Sequence, residues 1–281
     1  DRTDRIPEYI SHAFHVAMSG RPGPVVLALP EDILSSMADV ADSTPANPAR
    51  QTVSQNAVSE VIDRLKVARN PMVIVGGGGW SAQAAKDLGS FAAALGLPVG
   101  TSFRCQDYID NRHPNYVGDV GTAPNPELAT LVAKSDCILV LGARLGEMTS
   151  GGYELFDTPN PRQKIIHIHA DPNEIGRVYR PEIGLACQSA EFLSTAIDLT
   201  AGQSAAPPAA PRAAYERWQQ PFQTPGAVKM EQVITHASEV LPHDAIITNG
   251  AGNYAGWQHR YYCYKSYRTQ LAPTSGSMGY G

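Results

Sequence analysis

Apolar and polar residues alternate along the middle of the chain in the pattern of an α/β domain. Short, mostly apolar runs occupy residues 72–75, 137–141 and 165–169. The segments between them carry apolar residues every three or four positions, which predicts amphipathic helices. Strands that are apolar on both faces and alternate with such helices form parallel sheets. We therefore predict an α/β fold with a doubly wound, parallel central sheet of the six-stranded type.

The segments on either side show the same alternation, with too few strands for a complete sheet. Upstream, helical spacing at 4–19 precedes an apolar run at 25–29 that predicts a buried strand. Downstream, a helix is predicted at 228–241 and a strand at 245–248. Each side is therefore predicted to be part of a further α/β domain. The predicted organisation is a partial domain at 1–37, a linker at 38–53, the central domain at 54–200, a second linker at 201–226 and a partial domain at 227–281.

Composition and charge exclude several classes of function. The 281 residues are 43% hydrophobic and 17% charged, which is typical of a globular protein, and the net charge is −5. No basic stripe is present, so nucleic acid is not an expected partner. No apolar stretch approaches the length of a membrane span, so no membrane association is expected. The four cysteines are scattered without a CxxC pair, which favours a reducing, cytoplasmic location.

Two turns at the ends of predicted strands can hold a nucleotide phosphate. Gly76 to Gly79 lie directly between a strand and a helix, where backbone N–H groups can bind an anion. Glycines also occur in such turns for structural reasons alone, and the sequence leaves both alternatives open. Arg144 follows another strand and can bind a phosphate, or can pair with Glu147 at the surface. No acidic residue follows the strand at 97–99, which argues against a nicotinamide cofactor.

Three further features are less specific. His167 and His169 point to the same face of one strand, but the sequence identifies no further metal ligand, so a structural role is favoured. Gly250 to Asn253 form a second glycine-containing turn after a predicted strand. The turn 275–280 places one large apolar side chain, Met278, between small residues.

Together, these motifs resemble the thiamine-diphosphate-dependent enzymes of the acetolactate synthase and pyruvate oxidase family, in the family's order and over essentially the whole chain. The end of the family's pyrimidine-binding domain is matched by Gly20–Val25 and Leu29–Asp32. The central domain is matched by Met72–Gly79, Ser135–Arg144 and His167–Gly176. The start of the diphosphate-binding domain is matched by Ile247–Trp257 and Gln270–Gly281.

The resemblance implies an enzyme that decarboxylates a 2-oxo acid such as pyruvate and forms a carbon–carbon bond. The implied cofactors are thiamine diphosphate and Mg²⁺, and the implied assembly is a homodimer or homotetramer. Gly252, Asn253 and Tyr254 are implied to contact the cofactor diphosphate, although many members have Gln-His in place of Asn253-Tyr254. Met278 is implied to bend the cofactor, and the carbonyl of Gly276 is implied to accept a hydrogen bond from its amino group. These last two are the expected catalytic residues.

The resemblance also implies what lies outside the chain. The family's catalytic glutamate is expected upstream of residue 1 and its magnesium-binding Gly-Asp-Gly segment downstream of residue 281. We therefore expect an internal piece of a longer enzyme, without metal ligands of its own and inactive by itself. Two alternatives stay open, namely another decarboxylase of the family that acts on an acyl-CoA or different 2-oxo acid, and a non-catalytic nucleotide-binding module.

We do not expect the central domain to bind a flavin. The central domain of acetolactate synthases carries FAD, and that of a relative carries ADP in the same place. This chain matches the nucleotide site at Gly77, Gly78 and Arg144. It has Met148 and His169 where flavin-binding members have an arginine and an acidic residue, and both would make charge-assisted hydrogen bonds. It also has Gly-Asp-Val-Gly at 118–121 where those members have Gly-Met-His-Gly.

Overall fold

The chain divides into two compact units between Thr52 and Val53. Its structure, a computed structural model, describes residues 2–222, 224–274 and 277–279. The finer division into three domains and two linkers stays a prediction.

The first unit is helical in its described part. It contains α1 (Ile6–Met18) and α2 (Glu31–Ser35), and no strand is found among residues 2–52. The prediction of a buried strand at 25–29 is therefore wrong, because these residues are irregular and Val26 is 90% exposed. A strand needs a neighbour for its N–H and C=O groups, and this unit supplies none within its described residues.

The second unit is built on a six-stranded sheet in which every neighbouring pair is parallel. The strand order is β3-β2-β1-β4-β5-β6. This confirms the predicted α/β fold with a parallel, doubly wound central sheet. The strands are β1 (Pro71–Val75), β2 (Val99–Thr101), β3 (Tyr116–Asp119), β4 (Cys137–Leu141), β5 (Lys164–Ile168) and β6 (Ile183–Leu185).

Helices cover both faces of this sheet. They are α3 (Gln55–Val67), α4 (Ala82–Leu95), α5 (Pro126–Lys134) and α6 (Ser189–Leu199). Val73, Val75 and Leu139 pack with α3, α4 and α6 on one face. Ile74 and Ile138 pack with α5 on the other face. Each fully buried aliphatic side chain contributes roughly 1.5–3 kcal/mol of transfer free energy, so burial on both faces holds the sheet together.

The segment 201–226, predicted as a linker, contains a helix, α7 (Ala209–Trp218). Tyr215 is buried and meets Tyr116 of β3 edge-on, with ring centroids 5.0 Å apart. Arg212 donates from Nη1 to the carbonyls of Asn111, His113 and Tyr116. The helix escapes sequence analysis because its buried side chains are few, while its alanines have high helix propensity without apolar periodicity.

A smaller substructure follows. It comprises α8 (Met230–Val240), β7 (Ile247–Thr248), α9 (Ala255–Tyr261) and β8 (Gln270–Leu271). The strands β7 and β8 are parallel and pair Ile247 with Gln270 and Thr248 with Leu271. The sequence predicts α8 and β7, and it misses α9 and β8.

The loops after β1 and β4 approach each other closely. A Cβ added at Gly77 would lie 1.9 Å from the carbonyl oxygen of Gly142, and one added at Gly142 would lie 2.5 Å from that of Gly76. Gly77 also has a left-handed φ of 68°, which side chains disfavour. A Cβ at Gly78, in contrast, would meet nothing within 4 Å.

Gly77→Ala should therefore lower the free energy of unfolding by more than about 3 kcal/mol, because the methyl group clashes with backbone and the left-handed conformation is strained. Gly78→Ala, its matched control, should change the free energy by no more than about 1 kcal/mol. Urea unfolding of both variants measures the difference. Equal destabilisation would contradict this account of the contact.

Candidate functional site

The glycine loop after β1 lies at the carboxyl edge of the central sheet, and its carbonyl groups are engaged by the protein. Gly76 O accepts from Trp80 Nε1 at 2.9 Å, and Gly77 O accepts from the Tyr108 hydroxyl at 2.6 Å. Gly79 O accepts from the amide of Ala190 at 3.2 Å. Gly77 is thus explained by close packing, while Gly78 borders open space. A role for Gly77 and Gly78 in nucleotide binding stays a prediction.

Arg144 lies in the adjacent loop after β4 and is held in an ion pair. Its Nε lies 3.2 Å from Oε2 of Glu174, a buried carboxylate that also pairs with Arg177 at 3.1 Å. The partner is therefore Glu174, and not the Glu147 considered from the sequence. About half of the Arg144 side chain is exposed beside a cavity of about 100 Å³. That volume is small for a dinucleotide, since cofactor pockets run to roughly 300–1,000 Å³.

His167 and His169 make local hydrogen bonds. His167 Nε2 lies 3.0 Å from the carbonyl oxygen of Ala143, in the loop after β4. Burial lowers the pKa of His167 to about 4, so its ring is neutral at pH 7. His169 Nδ1 accepts from the amide of Asp171 at 3.0 Å. The first contact ties the end of β5 to the neighbouring loop.

Asp119, at the end of β3, borders a different cavity. One of its oxygens accepts from the Gly121 amide at 2.9 Å. Burial raises the pKa of Asp119 to about 7, and this is opposed by the Gly121 hydrogen bond and by the charge of Arg104. The cavity measures about 230 Å³, and its polar lining includes Gln106, Asp119, Gln219, His259 and Arg260. Sequence reasoning treated Asp119 only as a departure from the family's pattern.

In the loop before α9, the side chain of Tyr254 folds back over Gly250 and Gly252. The hydroxyl of Tyr254 accepts from the amide of Gly250 at 2.8 Å, and a Cβ added at Gly252 would lie 2.6 Å from the Tyr254 ring. A side chain at residue 252 would therefore displace the Tyr254 ring, which is 58% exposed. The N–H groups of residues 251–253 donate to no acceptor in the described part of the chain, so they are available to an anion.

The remaining predicted site residues, Gly276 and Met278, follow β8 in the sequence. Met278 is 91% exposed, so its side chain is available to a ligand. Gly276 lies outside the described residues.

Residues 58–195 match the family model described as the thiamine pyrophosphate enzyme central domain. This span covers the central sheet and the helices that flank it. The part of the chain that holds the central sheet thus matches a thiamine pyrophosphate enzyme central domain. Curated relatives align along nearly all of the chain. The acetolactate synthase large subunit of Corynebacterium glutamicum is 27% identical over 98% of this chain and 46% of its own length.

Two further relatives show the same extent of similarity. Acetolactate synthase 1 of Oryza sativa subsp. japonica, a chloroplastic protein, is 29% identical over 98% of this chain and 44% of its own length. The acetolactate synthase isozyme 1 large subunit of Escherichia coli is 26% identical over 99% of this chain and 50% of its own length. The chain thus spans about half the length of the curated relatives that it matches.

The predicted site residues form two groups. Gly77, Gly78 and Arg144 lie together at the carboxyl edge of the central sheet, whereas Gly252, Asn253 and Tyr254 lie in the loop before α9. Among the residues that the structure describes, no helix has both the length and the apolar character needed to cross a membrane.

The loop after β2, at 102–108, contacts Gly77 of the first group and Gly250, which lies two residues before the second group. Its Tyr108 hydroxyl donates to Gly77 O, and Arg104 Nη2 donates to Gly250 O at 3.0 Å. Sequence reasoning missed this loop, although its polar residues at the end of a strand are the signal that could have identified it.

The raised pKa of Asp119 predicts a stability that depends on pH. Because its folded-state pKa lies above the ordinary value of 3.8, the folded chain favours the protonated acid. Its contribution to stability is complete below the unfolded-state pKa and is lost as the pH rises through about 7. Asp119→Asn should therefore stabilise the chain at pH 8, by on the order of 1–2 kcal/mol given its partial exposure, and the gain should fade towards about pH 4.

Chemical unfolding at the two pH values measures this effect. Asp157→Asn is the control, because Asp157 is exposed and pairs with Arg162 at the surface. An Asp119→Asn gain of the same size at both pH values would contradict the assignment.

Proposed function

We propose that this chain is part of an enzyme that uses thiamine diphosphate to decarboxylate a 2-oxo acid, with pyruvate as the leading candidate, and to form a new carbon–carbon bond. The observation that carries the proposal is similarity to acetolactate synthase large subunits along 98% of the chain, well beyond the central domain. At this coverage, the similar region includes the loop 250–254.

The described residues fit the cofactor at two points. The N–H groups of residues 251–253, which donate to no acceptor among the described residues, suit a diphosphate, because a diphosphate accepts hydrogen bonds and carries negative charge. The exposed side chain of Met278 suits the apolar underside of the cofactor's rings. When bound, thiamine diphosphate supplies the electron sink that decarboxylation requires. Tyr254 covers Gly252, so its ring must move or take part in the contact.

Each of the predicted residues has a defined task in this proposal. Gly252, Asn253 and Tyr254 hold the diphosphate, with Mg²⁺ as its counter-ion. Met278 would pack against the rings of the bound cofactor and position them for proton transfer. The carbonyl of Gly276 accepts from the cofactor's amino group. The protein acts as a homodimer or homotetramer in the cytoplasm.

The complete natural protein, purified with thiamine diphosphate and Mg²⁺, tests the proposal. We expect it to consume pyruvate and to form acetolactate, with both processes dependent on the cofactor. A protein that binds the cofactor but consumes no pyruvate would contradict this substrate and favour another decarboxylase of the family. A protein that does not bind the cofactor would contradict the proposal as a whole.

Met278→Ala should lower turnover in the complete protein by at least about tenfold, equivalent to about 1.4 kcal/mol of barrier, while changing cofactor affinity much less. The reason is that this side chain shapes the bound cofactor, whereas the diphosphate contacts anchor it. Steady-state kinetics and a cofactor titration measure the two effects. Met37→Ala is the control, since Met37 is 97% exposed and lies in the first unit. Equal losses of turnover and affinity would contradict the assigned role.

We also propose that the central domain carries no flavin. Arg144 is already paired with Glu174, and the cavity beside it is about 100 Å³. The purified protein should therefore lack the visible absorbance of FAD. Met148→Arg combined with His169→Asp should raise FAD affinity, because both changes add a charged partner. Stoichiometric flavin in the unaltered protein would contradict this prediction.

A further inference from the structure

Arg104 occupies an unusual position in the loop after β2. It is buried, with 6% of its surface exposed, and its backbone has a left-handed φ of 60°. Such a conformation is uncommon outside glycine and marks a position that the surroundings enforce. The result is a guanidinium that points away from the central sheet and into the substructure that follows α8.

The guanidinium forms a fork between two distant carbonyl groups. Nη2 donates to Gly250 O at 3.0 Å, and Nη1 donates to Pro273 O. Gly250 directly precedes the backbone donors of residues 251–253, and Pro273 precedes the turn that contains Met278. One side chain from the central sheet therefore contacts the approaches to both segments of the proposed cofactor site.

We propose that Arg104 is a positioning residue that ties the loop 250–254 to Pro273, which precedes Met278 in the chain. This inference rests on the proposed function, because the loop 250–254 and Met278 are assigned to thiamine diphosphate. Arg104 does not touch the cofactor in this proposal. It holds the loop 250–254 and the residues around Pro273 in a fixed relative position.

The contacts of the neighbouring residues Gln106 and Asp107 differ from those of Arg104. Gln106 and Gln270 exchange two hydrogen bonds of 2.8 and 3.1 Å, and Asp107 accepts from the amides of Thr269 and Gln270. These contacts fasten β8 to the central sheet, but they do not reach the loop 250–254. Among the described contacts of residues 102–108, the two Arg104 hydrogen bonds join the loop 250–254 to Pro273.

The chemistry of the fork favours arginine over lysine. A guanidinium has donors at fixed, coplanar positions, so it can hold two carbonyl groups at a set separation. A lysine ammonium is a point charge on a flexible stem and imposes no such separation. Burial lowers the pKa of the Arg104 guanidinium, while Asp119 and Tyr254 oppose this effect.

Hydrogen exchange without cofactor tests the positioning directly. In Arg104→Met, the amides of residues 247–254 and 269–274 should exchange at least tenfold faster, while those of β1 and β4 stay unchanged. Arg104→Lys should restore protection in at most one of the two segments. Arg112→Met is the control, because Arg112 lies in the same part of the chain, is exposed and bonds only the neighbouring, half-buried Asp110 among its described partners. If Arg104→Met does not fold, the exchange rates of Arg104→Lys test the proposal by themselves, and full protection of both segments in that variant would contradict it.

A titration with thiamine diphosphate and Mg²⁺ tests the link to the cofactor. Affinity should fall at least tenfold in Arg104→Met and Arg104→Lys, and it should be unchanged in Arg112→Met. Unchanged exchange in both segments, or full rescue by lysine, would overturn the inference. If the unaltered protein does not bind thiamine diphosphate, the proposed function fails together with the cofactor role of Arg104. In that case, the exchange rates still test whether Arg104 holds the loop 250–254 and Pro273 together.

Discussion

The parallel direction of the six central strands is the constraint on which the rest of the structure depends. Parallel strands end at the same edge, so the loops after β1, β2, β3 and β4 emerge side by side. Gly77 and Gly142 meet at this edge, and Arg104 extends from it. Such a sheet is stable only with both faces covered, and two separate apolar clusters provide that cover. The positions of the loops at this edge therefore depend on the packing of helices against the two faces of the sheet.

Sequence analysis predicts the parts of the fold in which local pattern and final environment agree. The strands β1, β4 and β5 are apolar at most positions because both of their faces are buried. The strand β3 is short, contains Gly118 and ends in Asp119, so its pattern does not differ from that of a loop. The run at 25–29 has the composition of a buried strand but no neighbour in its unit. In both cases tertiary context, which a local pattern does not contain, decides the structure.

In the candidate site, too, a local sequence pattern does not reveal the contacts between residues that are far apart in the chain. Glycine turns and Arg144 can be identified from the sequence because they follow strands directly. The ion pair of Arg144 with Glu174 and the fork of Arg104 join residues that are far apart in the chain. The position of Tyr254 over Gly252 depends on backbone geometry within the loop. The resemblance to a family indicated which segments matter, whereas the structure shows how they are held.

The central claim is that the loop 250–254 and Met278 bind the cofactor. Arg104, at the edge of the central sheet, holds the loop 250–254 and Pro273 in position. A crystal structure of the complete natural protein with thiamine diphosphate and Mg²⁺ tests this most directly. The account predicts the diphosphate against residues 251–253, Met278 beneath the cofactor's rings, and Arg104 still bonded to the carbonyl groups of Gly250 and Pro273. A diphosphate bound instead at Gly78 and Arg144 would contradict it.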